Sequence, residues 1–245
     1  AVITTTGGQR LEIDAAGGAG HNVVINGNGP NQTIASDFGG NITVKANNIA
    51  LNNANVFLPS GNLDLTAQTG DIQFNGKTDI DLAGRAVNFA DTFDFTPGGT
   101  LSADAKAGKI TLAANSNINV NTGGGSASGG NLIFKAPQQT LDLLGDIKAT
   151  KGSVLIDVAN YSATASFDSL MNKLMTAGVS DSLYFRTHNA DIIQAAGNQI
   201  KANDITLVAD KGAIGISGVL NADGSKEGGV IGLYAGGKIS LESGA

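Results

Sequence analysis

Thr78-Asp79-Ile80-Asp81 sets two carboxylates two residues apart. In an extended strand side chains alternate between faces, so both acids point the same way. Paired carboxylates on one face are what polysaccharide-cleaving sites use as acid and base, or as calcium ligands. Such a site also needs acids from neighbouring segments and a cation. Asp64, Asp71, Asp91 and Asp94 are the further acids nearby, and Lys77 and Arg85 are the cations. The competing reading is a solvated acidic face, the ordinary state of surface aspartates. On balance Asp64, Asp71, Asp79 and Asp81 are candidate ligand-binding residues on an outward acidic face. No catalytic residue is assigned, and the chain reads as a non-enzyme.

Other chemistry is thin. His21 and His188 are the only histidines and there is no cysteine, so neither a zinc site nor a haem site can be composed from them. Both histidines are expected to be ordinary turn or surface residues. No G-x-S-x-G nucleophile turn occurs. The run Gly123-Gly124-Gly125-Ser126-Ala127-Ser128-Gly129-Gly130 lacks the Lys-Ser/Thr of a phosphate loop and reads as a flexible turn. Two tandem nonapeptides, Gly17 to Ile25 and Asn26 to Ile34, approach the calcium-binding G-G-x-G-x-D-x-U-x repeat. Both carry Asn where the repeat has Asp, and a neutral carbonyl is a weaker calcium ligand than a carboxylate. They are expected to be glycine-rich turns. No metal and no cofactor is expected.

The elements that must hold these residues are short strands. Gly108-Lys109-Ile110-Thr111-Leu112, Gly130-Asn131-Leu132-Ile133-Phe134 and Gly152-Ser153-Val154-Leu155-Ile156 restart at intervals of about 22 residues. Each is a glycine turn followed by an apolar alternation or run, which reads as a strand. That period is too short for a βαβ unit. It fits one coil of a parallel β-helix, three strands and three turns. Gly40-Asn41-Ile42-Thr43-Val44 and Gly61-Asn62-Leu63-Asp64-Leu65 begin similar coils, and Ala86-Val87-Asn88-Phe89 reads as one more coil strand. Period-two alternation sends Ile, Leu, Val and Phe inward and Thr, Asn, Asp and Lys outward. About ten coils at a strand spacing of ~4.8 Å make a rod about 50 Å long. Outward threonines (Thr43, Thr66, Thr111, Thr206) recur about once per coil, without the T-x-T pairs of a flat threonine ladder.

One segment breaks the pattern. Phe167, Leu170, Met171, Leu174 and Met175 form an i, i+3, i+4, i+7, i+8 stripe, with Ser166 as N-cap, Asp168 in the first turn and Gly178 as the stop. This short helix is expected on the flank or end of the stack. Its apolar stripe either covers coil surface or offers those five residues to a partner.

Composition agrees with a repeat fold. The chain of 245 residues has 35 Gly, 4 Pro, no Cys and no Trp, with abundant Asn. Gly and Asn both tolerate tight turns, and Asn stacks in hydrogen-bonded ladders when coils repeat in register. A net charge of −6 with 5% aromatics argues against nucleic acid and against an anionic membrane surface. No apolar run approaches a membrane span, and no signal peptide opens the sequence. It starts in mid-pattern at Ala1-Val2-Ile3 and stops in mid-pattern at Leu241-Glu242-Ser243, as a portion of a longer chain would. The lack of cysteine fits export as an unfolded thread, since secreted chains otherwise use disulfides freely.

Gly39-Gly40-Asn41-Ile42-Thr43-Val44-Lys45-Ala46, Gly61 to Ala67, Gly108 to Ala114 and Asn203 to Ala209 resemble the repeats of filamentous haemagglutinin-like exoproteins, the large passengers of bacterial two-partner secretion. The helical break followed by Asp181-Ser182-Leu183-Tyr184-Phe185-Arg186-Thr187 resembles a recurring segment of the same family. The resemblance spans roughly residues 39–245. It implies an all-β, right-handed parallel β-helix, secreted to the bacterial cell surface. It also implies adhesion to host cells, sibling cells or biofilm matrix, with a polysaccharide or protein ligand. The partner for export is an outer-membrane transporter, reached through the parent chain. Asn28-Gly29-Pro30-Asn31 does not match the family's secretion motif, so transporter binding is not carried over to these residues. The expected organisation is an irregular Gly/Asn-rich start or capping coil over 1–38, coils over 39–160, a helical insertion over 161–182, and further coils over 183–245. The alternative function is a polysaccharide lyase or hydrolase.

Overall fold

A computed structural model describes residues 2–3, 9–17, 20–27, 38–223 and 228–242. The nonapeptides between Gly17 and Ile34 lie partly outside these residues. The architecture is a parallel β-helix with three faces. The first face is a nine-stranded parallel sheet, built in chain order from Arg10–Asp14, Asn41–Ala46, Asn62–Ala67, Thr100–Ala105, Asn131–Ala136, Ser153–Val158, Ser182–Thr187, Asp204–Ala209 and Val230–Ala235. Nine strands at ~4.8 Å stack to about 40 Å.

Alternation decides which side chains enter the core. Ile42, Val44 and Ala46 point inward, and Leu63, Leu65 and Ala67 stack on them in register. The same three positions carry Leu101, Ala103 and Ala105, then Leu132, Phe134 and Ala136. The third position, at the corner, is held by a small residue in most coils, which lets the chain turn without a void. A second face carries Asn22–Asn26, Asn48–Asn52, Ile72–Asn75, Ile110–Leu112 and Leu141–Leu143, and a third carries Val2–Ile3, Asn55–Phe57, Asp79–Asp81, Asn117–Asn119 and Asp146–Lys148. Asparagine ladders run along the second face as expected: Asn52 Nδ2 donates to Asn26 Oδ1 and Asn75 Nδ2 to Asn52 Oδ1.

Three expectations need correction. Gly108-Lys109-Ile110-Thr111-Leu112 is not the equivalent of the Gly130 and Gly152 segments. Ile110 pairs with Ile72 and Leu141 on the second face, while Asn131 pairs with Thr100 on the first. Ala86–Phe89 is not a coil strand either. It pairs antiparallel with Thr92–Phe95 in a hairpin, turning at Ala90 with φ 52°, and leaves the stack.

The third correction concerns the helix, Phe167–Thr176. Ser166 caps it as expected, in a reciprocal pair with Ser169, and Gly178 follows it at φ 89°. It does not lie on the flank or at an end. It occupies the second and third faces of one coil inside the stack. The coil below donates from Ala149 N to Ala177 O, and Lys173 Nζ reaches back to Leu144 O. Above it, Asp168 Oδ2 accepts from Ala195 N. The second and third faces resume beyond it as Ile192–Gln194, Ile214–Ile216 and Ile239–Leu241, and as Gln199–Lys201 with Val219–Asn221. The first face runs past without a break, Val154 pairing with Leu183.

Candidate functional site

The predicted acids are distributed over the faces. Asp64 is outward on the first face, between Thr43 and Ser102 in register, and burial raises its carboxyl above the ordinary value. Asp71 sits before the second-face strand, where its amide donates to Asn48 Oδ1 and its Oδ1 accepts from Lys109 N. It therefore stitches coils together. Asp79 and Asp81 are on the third face. The structure therefore does not bring the four into one site. Asp91 and Asp94 are exposed on the hairpin, beside Phe89 and Phe93, which are 61% and 65% exposed.

The third face does assemble a polar strip around Asp79 and Asp81, from residues the sequence reading passed over. Register places Asn117 and then Asp146 beside Asp79, and Asn119 and then Lys148 beside Asp81. Asp79, Asp81, Asn117, Asn119, Asp146 and Lys148 line a shallow groove of about 280 Å³. Asp81 is fully engaged: Arg85 Nη2 lies 2.6 Å from Oδ2, and Asn119 Nδ2 donates to Oδ1 at 3.1 Å. Arg85 in turn lies over the Phe57 ring, 5.2 Å from its centroid. Burial raises the Asp79 carboxyl, Asp81 beside it adds to the rise, and Lys148 opposes it. The strip presents carboxylates, side-chain amides and one ammonium at strand spacing, a pattern suited to the hydroxyls of an extended sugar chain.

A wider groove of about 760 Å³ opens at the corner between the third and first faces, with Ser126, Ser128, Lys151, Asp181, Lys201 and Asp223 among its lining residues. Lys151 Nζ donates to Gly125 O, so the glycine-rich turn is one wall of this groove. Asn119 and Asp81 are 38 residues apart in sequence. No local spacing announces that pair, because the hairpin is inserted between them.

The helix stripe is not available to a partner. Phe167, Leu170, Met171 and Leu174 are 2%, 8%, 2% and 0% exposed, and Met175 is half-buried with its sulfur facing Lys201 N. Their burial follows from the helix standing where two strands would stand. The outward threonines do not form one ladder: Thr111 is on the second face while Thr43, Thr66 and Thr206 are on the first. No group of three or more His, Cys, Asp or Glu suited to a metal ion occurs among the described residues. No helix among them is long and apolar enough to cross a membrane. No protein-family model, curated protein or solved structure matches this chain.

Proposed function

We propose that this chain is a stiff shaft and binding segment of a secreted bacterial surface adhesin, of the filamentous haemagglutinin-like kind that its repeats resemble. One observation carries the reading. The first face keeps its backbone ladder through all nine strands, while the hairpin, the glycine-rich turn and the helix are all taken up elsewhere in the coil. A scaffold that tolerates insertions at its corners without losing its ladder is suited to holding binding features away from a surface. The ligand is a host-cell or matrix polysaccharide or protein, met by the polar third face and the corner groove. Export through an outer-membrane transporter belongs to the parent chain.

A second reading, a polysaccharide-acting enzyme, is favoured by one observation. Asp79 and Asp81 are same-face residues of one strand, about 7 Å apart by strand geometry, a carboxyl spacing that leaves room for an attacking water. Against it, both Asp81 carboxylate oxygens are already engaged, by Arg85 and Asn119.

Binding of the labelled protein to a panel of bacterial exopolysaccharides and host-cell surfaces, with and without calcium, tests both. Saturable binding that weakens in the Asp79→Asn, Lys148→Ala double variant supports the adhesin. Shortening of a bound polysaccharide, abolished by Asp79→Asn, supports the enzyme instead. Absence of binding throughout removes the binding role from these faces.

A further inference from the structure

A cluster away from these faces ties three successive coils together. Arg186 belongs to the first-face strand Ser182–Thr187, and His188 follows that strand directly. Asp157 lies on the strand below, paired with Arg186 in register, and Asp210 follows the strand above. Arg186 holds Asp210 through Nε at 3.1 Å and Nη2 at 2.9 Å. His188 stands between the two acids. Its Nδ1 is 2.7 Å from Asp210 Oδ2 and its Nε2 is 2.7 Å from Asp157 Oδ1.

A neutral imidazole has one N–H and one lone pair. With the proton on Nδ1, the contact to Asp210 is a hydrogen bond. Nε2 and Asp157 Oδ1 are then both buried and both without a hydrogen-bond partner, although they face each other at 2.7 Å. Lone pair faces lone pair across that gap, an arrangement that costs free energy in a partly dehydrated place. One proton on Nε2 turns the contact into an ion pair between imidazolium and carboxylate. Three cations surround the cluster: Arg186 grips Asp210, register sets Lys135 beside Asp157 one coil further down, and Lys211, after Asp210, donates to Asn189.

We propose that His188 is a proton-operated clasp. As imidazolium it grips Asp157 and Asp210 together and locks three coils of the shaft; on losing its proton it releases Asp157. The clasp strengthens the rod while the ring is charged, and the contribution is lost as pH rises. This holds whether or not the adhesin reading does, because it concerns cohesion of the rod and not its ligand.

Two measurements test it on the intact chain. In ¹⁵N spectra at about pH 5.5, His188 is expected to carry protons on both ring nitrogens, with its place between the two carboxylates slowing their exchange with water. His21, exposed and the only other histidine, is the reference in the same spectrum. A His188 ring with a single protonated nitrogen, or with exchange as fast as His21, overturns the clasp. In thermal unfolding, the advantage of the wild type over His188→Gln is expected to shrink by about 2–4 °C from about pH 5.5 to about pH 8.5. Asp157→Asn, whose amide can donate to a neutral ring, is expected to flatten the same dependence. An advantage that stays constant across this range refutes the proposal.

Discussion

The corner before the first face is where the fold is least forgiving, and Gly130→Ala probes it. Gly40, Gly61, Gly99, Gly130 and Gly152 stack along that corner, each backbone lying against the next. A Cβ on Gly130 would meet Gly99 O at 2.0 Å, and one on Gly99 would meet Gly61 O at 2.0 Å. The obstacle at Gly130 is backbone, and Gly99 O already accepts from Asn131 N at 3.0 Å. Relief requires a shift of about 1 Å between coils spaced only ~4.8 Å apart, which breaks that hydrogen bond. The lost bond costs about 1 kcal/mol and the overpacking about 1–3 kcal/mol. Lower entropy of the unfolded chain returns about 0.4–1 kcal/mol. The net loss is about 2 kcal/mol, equivalent to a midpoint lowered by about 4–8 °C. Thermal and urea unfolding followed by circular dichroism measure it. Gly17→Ala is the control, since a Cβ there meets nothing within 4 Å. Its effect should stay within about 0.5 kcal/mol. A Gly130→Ala variant as stable as the wild type, or a Gly17→Ala variant equally damaged, would refute the argument from close approach.

Leu174→Ala should cost about 2–5 kcal/mol, because that side chain is fully buried between coils, and Met175→Ala clearly less; urea midpoints separate them. Thr111→Val should leave stability unchanged or raise it by up to about 1 kcal/mol, because the hydroxyl is buried without a partner and the shapes match; calorimetry decides the sign. Asp210→Asn should flatten the acid limb of the stability curve. The Arg186 hydrogen bond holds the Asp210 carboxyl below its ordinary value, burial opposes it, and the His188 hydrogen bond adds to the lowering. A lowered value contributes stability above the ordinary carboxylate range that is lost as pH falls through the lowered one. Unfolding midpoints below about pH 4 should therefore converge for variant and wild type, in a window separate from that of the histidine clasp.

The β-helix was legible because it rests on local rules. Asn41-Ile42-Thr43-Val44-Lys45-Ala46 can bury only one of its two faces as a strand, and the structure buries Ile42, Val44 and Ala46. The helix was legible for the same reason: Ser166 and Gly178 bound a 3.6-residue stripe, and both mark its ends in the structure. Its place inside the stack was not legible. A stripe shows that a face is buried, but not what buries it. The ladder of glycines was visible, yet its members were mismatched. Strands on both the first and the second face follow a glycine turn with an apolar alternation, so the equal intervals from Gly108 to Gly130 and on to Gly152 compare different faces. Gly99 is the true counterpart of Gly130, as the pairing of Thr100 with Asn131 shows.

The functional faces were legible only in part, for a physical reason that follows from the same geometry. In a coil the neighbour of a side chain lies one whole turn away, and insertions change how many residues a turn contains. Asp81 and Asn119 touch across a hairpin, and Arg186 and Asp210 across one plain coil. Asp79-x-Asp81 was found because its two acids share a strand. Arg85, four residues on, was legible as a nearby cation, but Asn119 and Lys148 beside Asp81 and Asn117 and Asp146 beside Asp79 depend on register. His188 is the sharpest case. Alone in the sequence it reads as a surface histidine, and nothing within ten residues on either side supplies both of its acids. Only the stacking of three strands sets a carboxylate against each ring nitrogen, which turns an isolated residue into a bridge between coils.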